Sequence, residues 1–243
     1  MRGAGALELR RYDGGNRILL SPLASRFVKG ARKQLGKLNL DFPRGKLFTA
    51  DYAAPGWANF RGNGWVSKTL LLMPEKRHVQ ALERGTVWST CTVPGAVAYA
   101  NLAVNEEGRK VVLFELQSEL ASREYFHSGG GVGEWSWESF KEKHFPKYKN
   151  WQYALTAAAA KLAHEKGFDF FVASPEEQLQ AWHGLGLSKE TANQIYRNTP
   201  SKVAGSFGGR VKKTSVRVYA APTYGRSGWR ELSVRKFIFP KKQ

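Results

Sequence analysis

The chain has 243 residues, 42% of them hydrophobic and 13% aromatic, enough to bury a core and too apolar for wholesale disorder. One cysteine and five scattered histidines exclude a disulfide framework and offer no ligand spacing, so no metal is expected. Thirty-eight lysines and arginines against twenty acids give a net charge of +18, which points to a polyanionic partner.

That charge is segregated. Residues 1–46 hold eleven Lys/Arg and three acids, residues 210–243 hold ten and one, and residues 47–209 hold seventeen and sixteen. A nearly neutral body therefore carries two basic ends. No stretch approaches the roughly 18 consecutive apolar residues of a membrane span. Met1 to Gly5 lead into polar sequence rather than a secretory apolar block. No membrane is expected, and a reducing compartment such as the cytoplasm fits the lone Cys91.

The elements follow in chain order. Residues 25–38 repeat Phe27, Ala31, Leu35 and Leu38 at three- and four-residue intervals among cations, predicting a basic helix. Residues 39–67, rich in Gly, Pro and aromatics, predict irregular structure with a turn at Asn63-Gly64. Lys68 to Met73 predicts a strand, Glu75 to Arg84 a helix, and Thr86 to Val93 a strand. Ala96 to Val104 and Lys110 to Ser118 predict a hairpin turning at Asn105 to Gly108. Trp151 to Lys166 is the clearest helix, stopped by Gly167. Phe168 to Ala173 predicts a buried strand. Ser174, Pro175 and Glu177 supply the N-cap, first-turn proline and capping-box carboxylate of a helix running to about His183. Ser188 opens another, to about Asn198. Residues 211–220 and 229–239 predict a closing hairpin around Pro222 to Gly228.

This order predicts an α/β fold, a mixed sheet with helices packed on it. It divides into a basic N-terminal segment (1–67), an α/β core (68–209) and a basic, β-rich C-terminal segment (210–243). Arg32, Lys33 and Lys37 at one end, and Arg210, Lys212, Lys213 and Arg217 at the other, are the candidate nucleic-acid contacts.

Strand alternation over 111–119 puts Leu113, Glu115 and Gln117 on one face and Phe114, Leu116 and Ser118 on the other. A carboxylate in so apolar a strand is desolvated, which raises its pKa toward general-base duty. Glu115 and Gln117 are therefore the catalytic candidates. The bland alternative ties Glu115 to a neighbouring arginine or backbone amide, or leaves it facing solvent on an uncovered sheet face. Ser128 to Gly133 could offer backbone N–H groups to a phosphate, but the next clear helix starts some eighteen residues later. Trp135 to Trp151 interleaves aromatics with lysines, as base stacking or a packed lid would. Parallel strands joined by the 151–166 helix would bring Glu115, Gln117, Trp151 and Gln178 to one sheet edge, in a pocket suited to a planar group.

Five segments carry a resemblance: Glu115-Leu116-Gln117-Ser118-Glu119, Trp151 with Leu155, Gly167-Phe168-Asp169, Glu176-Glu177-Gln178, and Tyr196-Arg197-Asn198-Thr199-Pro200. Through them residues 96–210 resemble a domain recurrent in phage and prophage proteins, including the very large multi-domain ones. Glu119 stands where that motif has Asp. The resemblance implies phage origin, residence in a host cytoplasm or phage particle, and other phage proteins as partners. It adds Tyr196 to Trp151 and Gln178 as candidate substrate contacts. The order of the second half also looks GNAT-like. A likeness to such acyltransferases implies an acyl-CoA cofactor and Glu115 as base; without it no cofactor is indicated. The first expectation is thus a phage-type nucleic-acid-binding protein. The alternatives are a GNAT-like transferase acting on a nucleic-acid-linked substrate and a structural component of a virion or nucleoprotein assembly. Whether the chain is an enzyme stays open.

Overall fold

The computed structural model describes residues 7–10, 17–50, 60–73, 97–118, 146–181, 187–220 and 227–240. Its strands are β1 (Leu7–Arg10), β2 (Arg17–Pro22), β3 (Lys46–Ala50), β4 (Arg61–Gly62), β5 (Trp65–Met73), β6 (Ala98–Asn105), β7 (Lys110–Ser118), β8 (Asp169–Ala173), β9 (Arg210–Ala220) and β10 (Gly228–Ile238). Its helices are α1 (Ser25–Lys37), α2 (Trp151–Lys166), α3 (Pro175–Ala181), α4 (Lys189–Asn193) and α5 (Thr199–Ser206), with a π-helical turn at Gln194–Asn198 between the last two. No helix among the described residues is long and apolar enough to cross a membrane.

The fold is α/β. One sheet runs β1-β2-β3-β5-β6-β7-β8-β10-β9, with β4 folded onto β5. Every pairing is antiparallel except β7 with β8, the two strands joined through α2. All three expected segments contribute strands to this sheet. The basic C-terminal segment is no appendage, because β10 lies between β8 and β9.

Each face has its own core. On one, α1 and α2 pack against Leu70, Ala100, Leu102, Leu113, Phe170 and Val172. Six alanines of α2, from Ala154 to Ala163, are buried and let the helix sit close to the strands. Gly167 closes α2 at φ 67°, a left-handed conformation that suits glycine. On the other face, Phe60 and Trp65 pack with Val112, Phe114, Phe171, Val216 and Val234.

Several elements depart from expectation. Residues 39–67 are not uniformly irregular: β3 and the β4–β5 hairpin form within them, and the latter turns at Asn63-Gly64, as expected. The chain stays helical beyond Asn198, through Pro200. That proline occupies the first turn of α5, where a missing N–H costs little. Ser174 caps α3 by accepting from Glu177 N at 3.2 Å. The Glu177 carboxylate does not close the capping box but accepts from Ser233 N of β10 at 3.0 Å. The helix expected at 75–84, the strand at 86–93 with Cys91, and the glycine run at 128–133 lie outside the described residues.

Candidate functional site

β8 pairs with β7 only from Lys110 to Leu113 and then ends at Ala173. β7 runs on through Phe114 to Ser118. Backbone groups left facing that gap would be costly if buried and unpaired. Helical side chains take them instead. The Gln178 amide donates to Phe114 O. The Tyr196 hydroxyl accepts from Leu116 N at 2.9 Å and donates to Leu116 O at 3.2 Å. Gln178 and Tyr196 thus finish a ladder that β8 leaves incomplete, and both are buried.

At the mouth of the gap β7 carries a bulge. Asn101 pairs with Glu115 and Leu102 with Leu113, so Phe114 has no partner on β6. The bulge overturns the simple alternation. Leu113 and Leu116 both join the helix-covered core, and Phe114 joins the other. Glu115 faces away from α2, beside Asn101.

Glu115 is 1% exposed. Among the described residues it meets neither an arginine nor a backbone amide: Oε2 accepts from Asn101 Nδ2 at 2.6 Å, and Asn101 Oδ1 accepts from Thr69 at 3.2 Å. Glu115 Oε1 and Gln178 Oε1 are buried without hydrogen-bond partners among the described residues. Burial pushes the Glu115 carboxyl from 4.5 up to about 7, partly opposed by the Asn101 hydrogen bond. Burial, and then the Glu115 charge, push the Tyr196 hydroxyl far above its ordinary value.

The expected pocket forms only in part. Glu115, Gln178 and Tyr196 converge on three consecutive residues of β7. Gln117, half-buried at the strand end, accepts from the Tyr99 hydroxyl. Trp151 opens α2 but lines a separate cavity of about 560 Å³ with Leu40, Lys149, Tyr153, Gln194 and Ile195, among others. Glu115, Gln117 and Gln178 do not line that cavity.

The basic residues fall into two groups. Some are engaged by the fold. Lys37 Nζ donates to Ser206 O at 2.8 Å, Lys236 pairs with Asp169 at 2.8 Å, and Arg26 pairs with Glu165 at 3.4 Å. Lys213 lies 4.0 Å from Glu176. Half-buried Arg235 is pushed below its ordinary value by burial and by Arg197, with Glu176 opposing. Others are exposed and make no ion pair among the described residues: Lys29, Arg32, Lys33, Arg210, Lys212, Arg217 and Arg230. Arg32 lies over the Phe42 ring at 5.2 Å and Arg217 over the Trp229 ring at 5.0 Å. Sequence reasoning missed Trp229 and Tyr219. The signal was present as aromatics alternating with cations in the last two strands.

Glu115 with Leu116, Gln178 and Tyr196 meet at the β7 gap. Their shared position has a physical reason, since each satisfies or lies beside the backbone that β8 leaves open. Against known proteins the chain stands apart: no family model, no curated protein and no solved structure matches it.

Proposed function

We propose that the chain binds nucleic acid, DNA or RNA, along a surface built from both basic ends. The supporting observation is the Lys37–Ser206 hydrogen bond of 2.8 Å. It ties the last turn of basic α1 to the last turn of α5, four residues before β9 begins at Arg210. Two segments far apart in sequence are thereby joined, and Lys29, Arg32, Lys33, Arg210 and Lys212 among their cations are exposed. Phosphates bound there would release counterions, which makes affinity salt-dependent. The resemblance of residues 96–210 to a phage-associated domain fits work beside phage or host nucleic acid.

The test is a salt series on a nonspecific duplex and a single strand. The logarithm of affinity should fall linearly with that of salt, by about 0.9 per phosphate contact on duplex and about 0.7 on single strand. Combining Arg32→Ser, Lys33→Ser, Arg210→Ser and Lys212→Ser should flatten the duplex slope by about 0.9 for each contact removed. Salt-independent affinity, or an unchanged slope in the fourfold variant, overturns the reading.

A different observation supports group transfer as a second reading. Glu115 is a buried carboxyl raised to about 7 in an element order resembling GNAT-type acyltransferases, which fits a general base. The backbone groups of Phe114 and Leu116 are taken by Gln178 and Tyr196 and offer no free hydrogen bonds to an acyl-CoA along β7.

A further inference from the structure

We propose that Trp229, with Tyr219 and Arg217, forms a stacking platform for unpaired bases, so that the preferred ligand is single-stranded nucleic acid. This rests on the nucleic-acid reading and names its ligand class. Trp229 is 48% exposed, and no other aromatic among the described residues is exposed. A single exposed apolar side chain is ordinary on a surface; what sets this one apart is how firmly it is held and the cation over it.

The indole is held in place. Trp229 pairs in register with Tyr219 at the hairpin end of the β9–β10 ladder, next to the Gly228–Ala220 pair. The Tyr219 ring stands edge-on to it, with centroids 5.5 Å apart and planes at 86°. Tyr219 lies against Gly62 of β4, where an added Cβ would sit 3.1 Å from the phenol ring. Gly62 also has a φ of 106°, so a side chain is disfavoured there twice over. The Arg217 guanidinium lies over the indole ring, 5.0 Å from its centroid, without an ion pair among the described residues. A preorganised aromatic with a cation beside it loses little freedom when a flat ligand arrives.

The surroundings choose the ligand. Exposed Arg61 lies beside Gly62 and exposed Arg217 stands on the indole's own face of the hairpin, while Arg230, Arg210 and Lys212 alternate to the other face. Glu231, the hairpin's only acid, already accepts from the Ser215 hydroxyl. Cations along an edge strand also discourage edge-to-edge pairing of sheets. That purpose does not call for an exposed tryptophan among them. A π-face bordered by phosphate-binding cations fits a strand whose bases are unstacked, and a duplex has no free base face to offer.

The experiment measures binding of a short labelled oligothymidylate, its duplex with oligoadenylate, and anionic phospholipid vesicles at one salt concentration. The proteins are wild type, Trp229→Ala, Trp229→Phe and Trp229→Leu, each checked by its melting curve. Trp229→Ala should weaken single-strand binding roughly 5- to 150-fold, the equivalent of about 1–3 kcal/mol per stacked base. Duplex affinity should stay within about twofold if stacking alone is lost. Trp229→Phe should keep most single-strand affinity and Trp229→Leu should not, which separates stacking from packing even if the alanine variant unfolds. Equal losses on both nucleic acids, or no loss, overturn the platform while the nucleic-acid reading stands. Wild-type protein that binds vesicles and neither nucleic acid overturns both.

Discussion

The gap beside β7 and the outer edge at β9 both present strand backbone and polar side chains, yet they are finished in opposite ways. At the gap the chain closes on itself, with Gln178 and Tyr196 occupying the backbone of Phe114 and Leu116. At the edge, Arg210, Lys212 and Arg217 point to solvent and Trp229 is half exposed. Buried polar groups left unpaired cost far more than exposed ones. The Gln178 amide and the Tyr196 hydroxyl therefore serve the fold, whereas the exposed cations at the edge are left to solvent.

The largest expected effect tests the gap. Gln178→Ala orphans the Phe114 carbonyl and opens a void, which should cost about 3 kcal/mol. For a chain of this size that lowers Tm by roughly 6–12 °C. A urea melt no different from wild type would break the contrast, because the gap would then hold nothing together.

The next effect is electrostatic. The Glu115 carboxyl goes from 4.5 when unfolded to about 7 when folded, so the folded protein holds that proton more tightly. Its contribution is fully present below about 4.5, is lost as pH rises, and is gone above about 7. At about 1.4 kcal/mol per pKa unit, the loss is on the order of 3 kcal/mol. Glu115→Gln removes this titration, so its stability relative to wild type should rise between about pH 5 and pH 8. Parallel melts across that range check it, and a constant difference between the two proteins would show Glu115 to be unperturbed.

The smallest expected effect belongs to the edge. Arg210→Ser with Lys212→Ser should change stability by no more than about 0.5 kcal/mol, because both side chains are exposed and make no ion pair among the described residues. A loss as large as that of Gln178→Ala would mean the edge is structural too, and the two regions would no longer differ in kind.

Sequence by itself determined the elements whose cues are local. Trp151 to Lys166 carries a helical run and a glycine stop, Ser174-Pro175 starts a helix, and Asn63-Gly64 turns a hairpin. The basic ends were equally plain, since charge needs only counting. Nearest-neighbour alternation failed at Phe114, because a bulge depends on the pairing of β7 with β6 and not on β7 alone. Tertiary structure also decided the fate of each polar residue. Gln178 and Tyr196 look like binding residues in isolation and become ladder partners only because β8 ends early. Lys37 looks like a phosphate contact until Ser206 O comes within 2.8 Å of it. Trp229 becomes a candidate contact only when the two last strands pair at the sheet's rim. The physical reason is the same in each case: local propensity acts within a few residues, whereas desolvation and hydrogen-bond satisfaction are settled between segments that meet only when the chain has folded.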